Sequence, residues 1–133
     1  MWFMEPWRLR LGPERLLVLG GAGAIVRWSA LALSPPLWLL FPIQGLHALS
    51  FTATFLATLR LIERLAPAED ASAAQTLNAA LAYGLFTGLA TLAAGPLFDT
   101  LGVGGYWPMT ALAALGLASA FVLLADQRKP AKT

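Results

Sequence analysis

The chain has no cysteine and a single histidine among its 133 residues. These two counts remove disulfides, thiolate zinc sites and thiol nucleophiles, and they leave too few ligands for a metal site built from protein alone. Charge is also scarce. Asp, Glu, Lys and Arg together make up 12% of the residues, about half the share of an average soluble domain. Hydrophobic residues make up 58%, so there is too little polar surface to dress a soluble globule. No segment alternates apolar and polar residues over the roughly ten positions of a membrane-barrel strand. The apolar stretches hold no paired carboxylates and no nucleophile beside a base, so the chain does not read as an enzyme, and no cofactor is expected.

What fills the chain instead is hydrocarbon. Residues 35–59, 71–98 and 100–125 carry no Asp, Glu, Lys or Arg, and residues 16–33 are interrupted only by Arg27. About 20 apolar residues rising about 1.5 Å each match a hydrocarbon core of about 30 Å, so each stretch is long enough to cross once. The expected fold is an all-α membrane protein of four transmembrane helices, about 14–33, 36–65, 72–97 and 106–125, forming a single membrane domain over residues 1–133.

The basic residues set its orientation. Arg8, Arg10 and Arg15 precede the first span, Arg60 and Arg64 end the second, and Arg128, Lys129 and Lys132 follow the fourth. Four antiparallel crossings put all three groups on one side, which by the positive-inside rule is the cytoplasm, with both termini there. The net charge of +2 and the pI near 9.5 therefore report topology, and no nucleic-acid partner is implied. The segment 1–7, with Trp2, Phe3 and Trp7, lacks the basic start and cleavage site of a signal peptide. It reads either as the tail of a preceding helix or as an interfacial anchor.

Helix boundaries follow from local chemistry. Pro13 suits a first turn, and Ser34-Pro35-Pro36 ends the first helix because a residue before proline leaves the helical region. Pro42 is expected to kink the second helix, whose last turns carry Arg60, Glu63 and Arg64 as a solvated charge cluster before Ala66-Pro67. Ser72 and Gln75 have the spacing of a capping box. The third helix is expected to end near Gly95-Pro96. A glycine-rich turn over 99–105 then leads to Tyr106-Trp107, an interfacial aromatic belt.

Two ionisable groups stand out within the spans. Arg27 lies 11 residues beyond Leu16, and His47 lies 11 beyond Pro36. Each is therefore roughly 16 Å deep, near the bilayer midplane, from opposite faces. A charge there is costly and marks a functional site by default. Gln44, His47, Phe51, Thr54 and Thr58 are spaced 3, 4, 3 and 4, a helical stripe expected to face into the protein. Gly20, Gly23 and Arg27 make a narrow face on the first helix, and the string Gly20-Gly21-Ala22-Gly23 reads as close helix packing. On the third helix, Gly84 and Gly88 form a GxxxG that Thr91 and Gly95 continue, a surface for helix packing. Asn78 and Tyr83 add polar groups able to touch a solute.

The stretches 10–17 (RLGPERLL), 27–28 (RW), 44–51 (QGLHALSF), 73–84 (AAQTLNAALAYG) and 95–102 (GPLFDTLG) together resemble helices nine to twelve of a major facilitator superfamily transporter. The nearest branch is the phenylpropionate-permease-like group, related to the oligosaccharide:proton symporters. The resemblance implies a C-terminal fragment of a larger permease in the inner cell membrane, whose partners are the lipid bilayer, the missing N-terminal helices, a small organic solute such as an aromatic acid, and protons. It places Arg27 and His47, with Gln44, Tyr83 and Asn78, on the substrate and proton pathway. It also puts Ser50 where the symporters carry a proton-binding glutamate, and makes Asp99 part of a degenerate loop motif. The alternative reading is a free-standing four-helix membrane anchor or assembly subunit without transport activity.

Overall fold

The computed structural model describes residues 11–126, so the aromatic segment 1–7 and the basic residues Arg8, Arg10, Arg128, Lys129 and Lys132 lie outside the described residues. Helix α1 spans Pro13–Ala32. After a 3₁₀ turn at Leu37–Leu39, α2 spans Leu40–Leu65. A third helical stretch follows in five registers: α3 (Ala71–Ala79), a π segment (Ala80–Phe86), α4 (Thr87–Leu101), a 3₁₀ corner (Gly102–Tyr106) and α5 (Trp107–Asp126). There is no strand among the described residues.

Three helical runs, Pro13–Ala32, Leu37–Leu65 and Ala71–Asp126, are long and apolar enough to cross a membrane. The four separate helices expected from the sequence are thus not what the structure counts. Its third run is helical over 56 residues, which would reach about 84 Å if straight. The expected break at Gly95-Pro96 is absent because α4 carries Pro96 inside it. Proline removes one N–H, and the helix tolerates the loss while the Thr100 hydroxyl donates back to the carbonyls of Pro96 (2.9 Å) and Leu97 (3.2 Å). The regular helix ends instead at Gly102, whose φ of +55° is a conformation side chains disfavour.

Other local expectations also shift. Pro42 falls in the first turn of α2, where its missing N–H costs nothing, so it is not an interior kink. Ser72 does not cap its helix: Asp70 occupies the N-cap with no side-chain bond, and the Ser72 carbonyl accepts from the Thr76 hydroxyl at 3.0 Å. The proline-directed stops do hold. Ser34, before Pro35, takes φ of +54°, and Ala66, before Pro67, is extended.

Helix α1 is the centre, packed along its length on α2 and α5. Its glycine string makes this double contact. A Cβ on Gly20 would meet the Ser50 carbonyl oxygen at 3.0 Å and the Thr54 amide at 3.3 Å, and one on Gly23 would meet Ser50 Cβ at 3.1 Å. Gly21 points the other way, where a Cβ would lie 3.2 Å from Leu117 Cβ on α5. Packing dominates helix association in lipid, so backbones this close gain dispersion contacts that a larger residue forfeits. Opposite the glycines, α2 buries Ser50, Ala53 and Ala57, small residues at spacings 3 and 4. Of the polar stripe of α2, Thr54 meets this seam at Gly20, while Gln44, His47 and Phe51 stay exposed beside it.

The expected GxxxG surface behaves differently. Nothing lies within 4 Å of a Cβ placed on Gly84, Gly88 or Gly95. Because Gly84 sits in the π segment, where bonds run i→i+5, α-helical spacing no longer stacks it above Gly88. Helix α4 rests mainly on its own corner and hardly touches α1, α2 or the body of α5.

The charge cluster ending α2 is not simply solvated. Arg64 donates to the Glu14 carboxylate in a salt bridge across the ends of α1 and α2, and the Glu14 side chain is only 3% exposed. Two substitutions test this packing in the 133-residue chain. Gly20→Val should lower stability by about 1–3 kcal/mol through overpacking, whereas Gly84→Val should change it by less than about 0.5 kcal/mol, as read from SDS-titration unfolding followed by circular dichroism. In the same assay Arg64→Ala should cost about 1–2 kcal/mol, below the figure for a fully buried pair because the arginine is half exposed.

Candidate functional site

One turn beyond the glycine string, Arg27 is half-buried on the flank of α1 that looks along α2. The small residues before it hold the two helices too close for a bulky neighbour, so space opens beside the guanidinium. This space is a cavity of about 250 Å³ lined by Gly20, Ala24, Arg27, Trp28, His47 and Phe51, together with Ser50 and Thr54. Arg27 and His47, far apart in sequence, therefore share one cavity.

The arginine is positioned by aromatic rings. Its guanidinium carbon lies 4.1 Å from the centroid of Trp28, within cation–π range, and Trp28 stacks on Tyr106 with centroids 5.8 Å apart and planes 27° from parallel. The 3₁₀ corner between α4 and α5 thereby braces the tryptophan that carries the cation. Tyr106, read from the sequence as part of an interfacial belt, is turned inward for this role, and its neighbour Trp107 stays exposed. The Arg27 Nε is buried without a hydrogen-bond partner. An N–H donor of a permanent cation, left unsatisfied beside a cavity, is suited to an anionic oxygen.

His47 sits on the opposite wall against Phe51, with ring centroids 6.1 Å apart. Phe51 in turn meets Phe55 and Tyr83, each also at 6.1 Å. The contact with Tyr83 links the π segment to the cavity wall. The hydroxyls along α2 are turned back onto their own helix: Ser50 donates to the His47 carbonyl at 3.1 Å, Thr54 to that of Ser50 at 3.0 Å and Thr58 to that of Thr54 at 2.9 Å. Ser50 is 6% exposed and packs against Gly20 and Gly23. Ser50 is thus part of a tight helix contact in this chain.

The remaining sequence candidates lie elsewhere. Gln44 is exposed and outside the cavity lining, Asn78 is half-buried on α3, and Asp99 is exposed on α4 rather than in a turn. Among the described residues no three His, Asp or Glu side chains group closely enough to hold a metal ion. Sequence reading missed Trp28 and Tyr106 as a positioning pair. The adjacency of Trp28 to Arg27 was the available signal, but nothing local shows which distant ring would stack on it.

Residues 1–109 match the family described as MFS_1 like. The chain is similar to the maltose permease of Geobacillus stearothermophilus, with 29% identity over 122 residues that cover 92% of this chain and 31% of the permease. It spans less than a third of the length of that relative. No solved structure matches it. With the match covering most of its length and apolar helices able to cross a membrane, the chain belongs to the MFS_1-like family.

Proposed function

We propose that the chain is the C-terminal part, helices nine to twelve, of a multi-pass secondary transporter of the inner cell membrane that carries a small organic acid, an aromatic acid in the first instance, together with protons. The observation that carries this reading is the partnerless Nε of Arg27, held over Trp28 in a cavity shared with His47. A cation at mid-span depth is costly unless it meets an anion or a wet path, and a carboxylate satisfies both its charge and its open donor.

In this reading the 56-residue third run crosses the bilayer twice, turning at the corner opened by Gly102, and both termini are cytoplasmic. Its length supports two crossings, since a straight run would overreach a hydrocarbon core of about 30 Å by more than twofold. The exposed faces of α3 and α4, with Gly84, Gly88 and Gly95 free of neighbours, then meet upstream helices of the same transporter. Such carriers place the substrate near the midplane between repeats and rock around it. Arg27 attracts the carboxylate. His47 gives and takes hydrogen bonds and can relay a proton, because imidazole is able to do both near neutral pH. Tyr83 backs the Phe51 wall of the cavity through the contact between their rings. Gln44, Asn78 and Asp99 line or brace the path only once the further helices are in place.

Uptake of radiolabelled aromatic acids by cells expressing the full-length transporter should fall about tenfold or more on Arg27→Ala, the scale of a lost charge-assisted hydrogen bond. It should collapse when a protonophore removes the pH gradient. Unchanged uptake in Arg27→Ala would take Arg27 out of the site, and uptake indifferent to the protonophore would exclude proton coupling.

A further inference from the structure

The cavity at Arg27 does not end at Trp28. The other side of that indole lines a second cavity of about 410 Å³, bounded chiefly by Phe86, Thr87, Thr91, Ala94 and Met109, with Ala82 and Ala90 completing the wall. Ala94 and Met109 in turn line a third, of about 370 Å³, at the corner formed by Phe98, Gly102, Gly105 and Tyr106. The first lies between α1 and α2, and the other two lie in the gap where α4 stands away from α1 and from the body of α5; Trp28 joins the first to the second, and Ala94 and Met109 join the second to the third.

The row is chemically polarised. Arg27 is the one charged side chain on any of the three cavities. The two hydroxyls in the middle cavity have committed their protons: Thr87 donates to the Ala82 carbonyl at 3.0 Å and Thr91 to that of Thr87 at 2.8 Å, so each is left able only to accept. The rest of the lining is hydrocarbon, an aromatic face and the adaptable thioether of Met109. A sugar would leave most of its hydroxyls unpaired there, at a cost for each, whereas an alkyl tail loses nothing.

Resting on the reading of Arg27 as a carboxylate site, we propose that this row is a side passage for the hydrocarbon tail of a long-chain carboxylate, which enters between α4 and α5 and seats its acid at Arg27, with Trp28 as the partition the tail must pass. Charge complementarity fixes the head, and the aliphatic and aromatic lining fixes the tail as apolar. Tyr106, stacked on Trp28, couples the partition to the corner where the tail comes in.

The test uses the 133-residue chain in lipid nanodiscs, with Trp2, Trp7, Trp38 and Trp107 replaced by phenylalanine so that emission reports Trp28 alone. Two quenchers are titrated, 9,10-dibromostearate as the long acid and 4-bromobenzoate as the short one, and 9,10-dibromostearyl alcohol serves as the neutral control. The expected result is saturable quenching by both acids, weakened at least tenfold by Arg27→Ala, and little saturable quenching by the alcohol. Ala90→Phe, which fills the middle cavity without touching Arg27, should weaken dibromostearate at least tenfold and leave bromobenzoate unchanged. Ala94→Leu, at the next junction, should do the same, and it supplies the measurement if circular dichroism shows Ala90→Phe to be misfolded. Dibromostearate binding that is indifferent to the filling variants, or matched by the alcohol, overturns the passage while leaving the Arg27 site standing. Indifference of both acids to Arg27→Ala overturns the site and the passage together.

Discussion

Everything in this chain hangs on how closely three helices approach at Gly20, Gly21 and Gly23. On one side the backbone of α1 meets Ser50 and Thr54 of α2, and on the other it meets Leu117 of α5. In lipid there is no hydrophobic gain from bringing apolar helices together, so the contact relies on dispersion between surfaces that fit. Glycine permits the approach, and Ser50, Ala53 and Ala57 on the facing helix keep the opposing surface equally low. The Glu14–Arg64 bridge ties the same two helices at their ends.

The site follows from that contact. Where the glycines stop, the first long side chain on the same flank is Arg27, and it projects where the seam begins to open. Among the described residues the guanidinium has a ring beside it rather than a counter-ion: Trp28 beneath the guanidinium and Tyr106 behind Trp28. The rings hold the charge in place without neutralising it. The guanidinium therefore keeps an open donor and shares its cavity with His47, which no local feature of either helix would have arranged.

The arm formed by α3, the π segment and α4 contrasts with this core. Its glycines face open space, and the small-residue stripe that reads as a packing surface has no partner among the described residues. A π segment lets the helix change register midway, and it is from there that Tyr83 reaches the Phe51 wall. Low contact along α4 also leaves two of the three cavities open between it and the core.

Much of the fold was legible in the sequence because it depends on quantities that add up locally. Long uncharged apolar runs give membrane-length helices, residues before Pro35 and Pro67 end them, and the glycine string announces close packing. Less local features were not. The break at Gly95-Pro96, the kink at Pro42 and the capping role of Ser72 each follow a propensity worth about 1–3 kcal/mol, which neighbouring turns and tertiary contacts readily override. The sequence by itself determined that this is an apolar, helical, membrane-length chain with one cation and one imidazole along its spans. Only the tertiary structure decided that the two meet in one cavity, that Tyr106 braces Trp28, and that Glu14 pairs with Arg64. Such pairings join residues tens of positions apart, and their geometry is set by helix rotation and approach, which no local pattern encodes.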